Sequence, residues 1–264
     1  MMNKFQKLVS TFVKFRLNLK MMYNVDFWVG IVTDLSAFLL QVVMYSVLFL
    51  NTDQINGWSK YQVIFFIGTF IAIDSLRMMT YFFGIMNIPT LIRTGKLDIY
   101  IVKPVNTLML ISVESIDMTR IITLLMGVII QVYAYMHLRF AVTIGMVIGY
   151  LVLFLLMYFL LYFIMLSFYS LSFWVTSVNV LFKVDMELNN FAFRVPGIVY
   201  EGICKIIFYI LIPYGMIATI PTKFLTQGLG IREWVTVIAV FICYAIFGLY
   251  IWNKGLKHYN SASS

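Results

Sequence analysis

Charged side chains are scarce in this chain: Asp, Glu, Lys and Arg make up 11% of its 264 residues, whereas 62% are hydrophobic. Soluble domains have roughly 25% charged and about 45–50% apolar residues. No soluble fold could bury this much apolar surface, so lipid is expected to be the main solvent. The composition excludes an ordinary soluble protein and indicates an integral membrane protein.

Cysteine and histidine are also rare, with two residues each. Cys204 and Cys243 lie in apolar stretches without paired spacing, which predicts packed thiols rather than a disulfide or a metal site. His137 and His258 stand far apart, near the ends of hydrophobic runs. The sequence therefore predicts no metal site.

Nucleotide-binding and catalytic motifs are missing as well. No phosphate-binding loop G-x-x-x-x-G-K-[ST] occurs, because Gly95-Lys96 lacks both the preceding glycine and the following hydroxyl residue. No H-E-x-x-H, G-x-S-x-G or dinucleotide fingerprint is present either. We therefore expect no catalytic residue and no bound cofactor, and any energy for transport would have to come from a partner.

The net charge of +8 falls into groups that lie beside hydrophobic runs. This distribution follows the positive-inside pattern, so it orients the chain in a membrane and does not indicate a nucleic-acid partner. Both termini and one internal loop are predicted to be cytoplasmic. The groups are Lys4, Lys7, Lys14, Arg16 and Lys20; Arg93, Lys96 and Lys103; and Lys254 and Lys257.

Residues 1–25 show a helical pattern in which apolar residues recur at steps of three and four, from Phe5 to Met22. Lysines occupy another face at the same rhythm. This pattern predicts an amphipathic helix that lies in the membrane interface with its lysines toward anionic lipid headgroups. A disordered basic tail is the alternative.

Hydrophobic runs predict an all-α fold with six membrane spans. Residues 141–182 contain no charge over 42 residues. At about 1.5 Å per residue they would extend twice as far as a bilayer core of about 30 Å, so two spans are expected, with a turn near 158–165. The six predicted spans are 27–50, 61–85, 108–136, 141–161, 163–182 and 234–252.

Residues 185–225 combine returning charges with prolines that interrupt a short apolar run. A span needs about 20 residues, and proline removes a backbone hydrogen bond that lipid cannot replace. We therefore expect an extracellular re-entrant hairpin, half-inserted before the last span. Its marker residues are Arg194, Pro196, Pro213 and Pro221.

Several charges fall within the predicted spans, where an unpaired charge costs roughly 3 kcal/mol or more. Asp74 and Arg77 are three residues apart, as are Asp117 and Arg120, so each pair shares a helix face. These side chains are expected either to clamp helices together or to line a pathway. The full set is Asp34, Asp74, Arg77, Glu114, Asp117 and Arg120.

The order of these features resembles the permease subunits of type-2 ABC exporters. Residues 92–105 (IRTGKLDIYIVKPV) look like the R-x-G-x-L-(D/E)…(R/K)-P stretch of the bacterial subgroup associated with viologen and drug export. Pro213-Tyr214 and Pro221 resemble the P-(F/Y)…P element of that subgroup. The resemblance extends over essentially the whole chain.

The resemblance implies a membrane-spanning subunit that works with a dimer of ABC ATPase subunits and with a second permease subunit, identical or related. ATP and Mg would be bound by the ATPase, and the location would be the bacterial plasma membrane. Residues 87–106 would form the cytoplasmic coupling loop that docks on the ATPase, unless they are an ordinary positive-inside loop. The implied coupling residues are Ile88, Leu91, Ile92, Arg93, Gly95, Lys96, Leu97 and Asp98.

The expected activity is multidrug efflux or, more broadly, export of an amphiphilic small molecule, drug, peptide or lipid. Two other classes stay open at this stage. A membrane-embedded enzyme would need a polar cluster for acid–base chemistry, yet each carboxylate pair has an arginine nearby. A secondary transporter would usually show duplicated halves, and 264 residues show none.

Overall fold

The computed structural model describes residues 24–138, 142–175 and 178–259, so the predicted helix at residues 1–25 lies almost wholly outside them. The described residues form helices and contain no named strand, which confirms an all-α integral membrane protein. Five helices are long and apolar enough to cross a membrane, and a bent pair forms a sixth candidate.

Within the described residues, twelve α-helices follow one another; several are joined by short 3-10 turns, and the π-helical segment Ile207–Leu211 follows α10. Their bounds are α1 Asn24–Leu48, α2 Lys60–Thr80, α3 Phe82–Met86, α4 Ile88–Arg93, α5 Asp98–Ile101, α6 Thr107–Glu114, α7 Ile121–His137, α8 Ile144–Ser170, α9 Val178–Arg194, α10 Gly202–Ile206, α11 Thr219–Gln227 and α12 Ile231–His258.

Side-chain contacts define two ends of the bundle. At the first, which we call the turn end, the loop 49–59 joins α1 to α2, and His137 of α7 stacks on Tyr61 with ring centroids 4.6 Å apart. At the second, the basic end, the segment 82–106 packs with the ends of α8 and α12, where Trp174 stacks on His258. Helices α1, α2, α7, α8 and α12 each run from one end to the other.

Helix α9 also runs from one end of the bundle to the other, although its 17 residues include several charges and it is too short and too polar to be recognised as a membrane span. It begins just after Trp174 at the basic end. At its other end, the carbonyl oxygen of Arg194 accepts a 2.6 Å hydrogen bond from the Tyr45 hydroxyl, and Asn56 Nδ2 donates to the Ile198 carbonyl at 3.0 Å. The described part of the chain therefore traverses the bundle six times, and α1 begins at the same end at which α12 ends.

The predicted fourth and fifth spans were wrong in position. Helix α8 runs unbroken through 158–165, where the turn was expected, because that stretch contains neither glycine nor proline nor any other helix breaker. The helix ends instead at Ser170, where serines begin to alternate with apolar residues. The return passage is α9, not residues 163–182.

The re-entrant hairpin is shorter than predicted. It consists of residues 202–211 and 213–227, bent by 87° at Ile212. Gln227 Nε2 donates to the Gly57 carbonyl at 3.1 Å, which fixes its end at the turn end, whereas Tyr214 at its apex reaches Asp185 inside the bundle. Residues 185–194 belong to α9, so the predicted bounds 185–225 were wrong.

The hairpin prolines have separate positions. Pro213 opens the 3-10 turn at the apex, where its missing N–H ends the preceding helix, and Pro221 lies in the first turn of α11, where no N–H donor is needed. Arg194 is the last residue of α9, and Pro196 follows in the connection to the hairpin. These last two residues therefore precede the hairpin.

The predicted third span, 108–136, is interrupted. Helix α6 ends at Glu114, and Asp117 then accepts hydrogen bonds from the Thr119 backbone and hydroxyl before α7 begins. Aspartate favours such local bonds over a continuous helix, which explains the break. The backbone N–H of Asp117 donates to the Met79 carbonyl at 2.9 Å, so the interruption is tied to α2.

Helices α2 and α7 approach most closely at two glycines. A Cβ atom placed on Gly127 would lie 2.8 Å from the backbone nitrogen of Ala72, and one on Gly68 would lie 2.9 Å from Gln131. Only small residues allow this contact between helices. The two cysteines, predicted to be packed, are instead exposed at Cys204 and Cys243, as expected for side chains on the outer surface of a membrane bundle.

Candidate functional site

A polar cleft opens between α1, α2 and α9 beside the interruption at 115–120. Its volume is about 170 Å³. Aromatic rings form part of the lining, since Phe70 and Phe193 lie 5.2 Å apart and Phe38 and Phe193 lie 6.0 Å apart. The polar lining includes Asp34, Asp74, Arg120, Asn189 and Asn190.

Arg120 connects separate elements at the mouth of this cleft. Its Nη1 contacts Asp34 Oδ2 of α1, and its Nε lies 4.0 Å from Asp117 Oδ2. The sequence spacing favoured a local pair between Asp117 and Arg120, whereas the closer partner is 86 residues away in sequence. Both Asp34 and Arg120 remain partly exposed, so the pair can meet a molecule that enters the cleft.

Arg77 lies deeper and is fully buried. Its Nη2 is 2.6 Å from Asp74 Oδ1, and the same oxygen accepts a hydrogen bond from Asn189 Nδ2 of α9 at 3.2 Å. The guanidinium also covers the Phe82 ring, 4.7 Å from its centroid. Arg77 thus joins α2 to α9 through Asp74.

A fully buried carboxylate, that of Asp185 in α9, lies near this group. Asp185 is fully buried and accepts hydrogen bonds from the hydroxyl of Tyr214, at the apex of the hairpin, and from that of Tyr169 in α8 at 3.4 Å. We call Asp74, Arg77, Asp185, Asn189 and Tyr214 the buried polar network. It joins α2, α9 and the hairpin within an otherwise apolar core.

Sequence reasoning assigned Asp185 to an extracellular hairpin and gave no role to Asn189 or Tyr214. The available signal was the helical spacing of Asp185 and Asn189, four residues apart, which places both on one face of α9. Glu114 was expected within the third span, among the charges that clamp helices together or line a pathway. It lies instead at the basic end and accepts a hydrogen bond from the Tyr100 hydroxyl of α5.

The predicted coupling residues divide into an inner and an outer set. Ile88, Leu91 and Leu97 are buried in the chain's own core, so these three predicted coupling side chains do not present themselves to another protein. Their burial anchors α4 and α5 to the bundle. Arg93 and Lys96 are exposed, whereas Ile92, Gly95 and Asp98 are partly buried.

The most exposed apolar residues of this segment lie just beyond the implied coupling residues, which end at Asp98. Ile99 and Val102 are 55% and 81% exposed, and charged residues flank them on both sides. We call Arg93, Lys96, Ile99, Val102 and Lys103 the coupling patch. An apolar surface among charges, on short helices anchored from beneath, is suited to contact another protein.

Two backbone details hold the coupling patch in place. Gly95 has a φ of +71°, a value that favours glycine, and the chain then returns so that the Leu97 N–H donates to the Leu91 carbonyl at 3.1 Å. Tyr259, just beyond the end of α12, lies beside Asp98, and burial followed by the negative charge of Asp98 raises the pKa of Tyr259.

No group of three or more metal-ligating side chains that could hold a metal ion occurs within residues 24–138, 142–175 and 178–259. The described residues thus form an all-α membrane bundle with an internal cleft and an anchored patch at one end.

The family follows from comparison with known proteins. Residues 35–263 match the family described as ABC-2 family transporter protein. The chain belongs to this family of membrane permeases, whose members generally work with an ATPase subunit. No curated protein and no solved structure gave a significant match.

Proposed function

We propose that the chain is the membrane-spanning subunit of an ATP-driven exporter whose energy comes from a separate ABC ATPase. The observation that carries this proposal is the coupling patch. Its exposed Ile99 and Val102 sit on segments held rigidly by buried Leu91 and Leu97. A movement of the ATPase against the patch would therefore displace the helices of the bundle, because the patch is anchored to them.

The cleft suggests the kind of molecule that is moved. Its lining combines the ion pair of Asp34 and Arg120 with the rings of Phe38, Phe70 and Phe193. Such a lining suits an amphiphile with a polar and an apolar part: a drug-like small molecule, a peptide or a lipid. A volume of about 170 Å³ is small for such a substrate, so a second permease subunit would complete the pathway.

Reconstitution tests whether ATP hydrolysis belongs to the ATPase subunit and not to the permease. The purified chain in proteoliposomes should hydrolyse no ATP, and both hydrolysis and substrate movement should appear once its co-purifying ABC ATPase is added with Mg and ATP. A Walker-lysine variant of that ATPase is the control for contaminating activity. ATP turnover that follows the isolated permease through purification would overturn the proposal.

The basic end should face the cytoplasm of a bacterium, since its lysines and arginines follow the positive-inside rule. With Cys204 and Cys243 replaced by serine, a cysteine at Asp53 should react with an impermeant maleimide in intact cells. A cysteine at Lys257 should react only after permeabilisation. Both positions are exposed and lie at opposite ends of the bundle. Labelling of Lys257→Cys in intact cells would reverse the orientation.

A further inference from the structure

A second cavity, separate from the polar cleft, lies at the turn end. It is a groove between the first arm of the re-entrant hairpin and the start of α12. Its volume is about 280 Å³. Apolar side chains form most of its length, and charged ones stand at its mouth. The apolar residues are Ile206, Ile210, Met216 and Ile220, and the charged ones are Lys205, Arg232 and Glu233.

The mouth of the groove carries more positive than negative charge, because, within the described residues, its carboxylate is already paired and two of its cations are not. Glu233 Oε1 accepts from Lys223 Nζ at 2.5 Å, and its Oε2 accepts from the Gly230 N–H at 3.0 Å, so this carboxylate already has partners. Lys205 and Arg232 are exposed, and no carboxylate oxygen lies within 4.0 Å of either in the described part of the chain. The Lys205 ammonium lies 5.7 Å from the centroid of the Tyr209 ring, which also lines the groove, so both cations remain without an anionic partner among the described residues and can face an incoming anion.

The apolar part of the groove has an open rim and a closed floor. Ile206 and Ile210 on the rim are 53% and 48% exposed, whereas Met216 and Ile220 on the floor are fully buried or nearly so. The rim belongs to a hairpin of a membrane bundle, so the groove opens toward lipid. An occupant that fits it must carry a negative charge at one end and hydrocarbon at the other.

We propose that this groove binds an anionic phospholipid of the surrounding bilayer. Its phosphate would be held by Lys205 and Arg232, with one acyl chain along Ile206 and Ile210 above Met216. The apex of the hairpin contacts Asp185 through the Tyr214 hydroxyl. A lipid bound along the hairpin would therefore also stabilise the buried polar network. This site is independent of the proposed transport function and of the orientation in the membrane.

Another interpretation is that the two cations only extend their charged ends to the aqueous interface, as lysine and arginine often do. In that case any bilayer surface would satisfy them, and no lipid headgroup would be preferred. Binding of a defined lipid in detergent distinguishes the two possibilities, because no bilayer surface is then present.

The experiment measures thermal unfolding of the purified full chain in a neutral detergent. Added dioleoyl phosphatidylglycerol should raise the midpoint in a saturable manner, whereas dioleoyl phosphatidylcholine and inorganic phosphate should leave it unchanged. Lys205→Gln with Arg232→Gln should weaken the phosphatidylglycerol effect by about tenfold or more in apparent Kd. Size-exclusion chromatography shows whether this variant is still folded.

Lys254→Gln with Lys257→Gln is the matched control, because it removes the same charge from exposed positions at the opposite end of α12. It should retain the full effect of phosphatidylglycerol. An equal loss in both double variants would mean that net charge alone attracts the lipid, and the site would be rejected. An unchanged response in Lys205→Gln with Arg232→Gln, or an equal rise with inorganic phosphate or phosphatidylcholine, would also overturn the proposal.

Discussion

Replacing Ile99 and Val102 together by aspartate should detach the ATPase from a permease that is still folded. Both side chains are more than half exposed, so the change leaves the core intact. At an apolar contact, two carboxylates would lose water without gaining partners. Recovery of the ATPase with the tagged permease should fall by about tenfold or more, the effect of roughly 1.4 kcal/mol. Transport and stimulated ATP hydrolysis should fall with it.

Leu91→Asp provides the contrast. Leu91 belongs to the same segment but is buried in the chain's own core, so its replacement should reduce the yield of monodisperse protein rather than release the ATPase from folded permease. If the Ile99 and Val102 variant recovers as much ATPase as the wild type, the contact lies elsewhere. The N-terminal basic segment would then be the next candidate.

The sequence predicted best those helices whose ends carry charges or turn residues. Helix α1 was expected at 27–50 and lies at Asn24–Leu48, and α12 was expected at 234–252 and lies at Ile231–His258. In both cases a hydrophobic run of the right length stands between polar flanks. Periodicity and length were sufficient because no second interpretation fitted the same residues.

The prediction failed where a charged helix crosses the bundle. Lys183, Asp185 and Glu187 made α9 resemble a surface segment, and the uncharged run before it was divided into two spans because of its length alone. Hydropathy measures average contact with lipid and carries no information about which charge meets which partner. Asp185 is tolerated because Tyr169 and Tyr214, from distant parts of the chain, bond its carboxylate.

The coupling segment shows a similar limit. The motif in residues 92–105 predicts a coupling segment but does not distinguish its buried positions from its exposed ones. Apolar residues such as Leu97 and Val102 look equivalent in sequence, whereas one is fully buried and the other is 81% exposed. That difference depends on the turn at Gly95 and on the packing of α4 against the rest of the bundle.

Removal of the buried arginine should have the largest effect on stability. We expect Arg77→Met to lower the free energy of unfolding by about 3–5 kcal/mol, because the substitution leaves Asp74 without its cation and leaves Asp185 with hydroxyl partners alone. Reversible unfolding in detergent, followed by tryptophan fluorescence, measures this change. Arg120→Met is the comparison: its pair with Asp34 is partly exposed at the mouth of the cleft, so its loss should cost less than the loss of Arg77.

A double variant tests whether uncompensated charge is the cause. Arg77→Met with Asp185→Asn removes one of the two negative charges that surround the arginine, and asparagine can still bond Tyr169 and Tyr214. It should therefore be more stable than Arg77→Met alone, although both substitutions lie in the core. If the two losses add instead, Arg77 stabilises the bundle through packing against Met165 and Phe82, and the electrostatic account of the buried polar network is wrong.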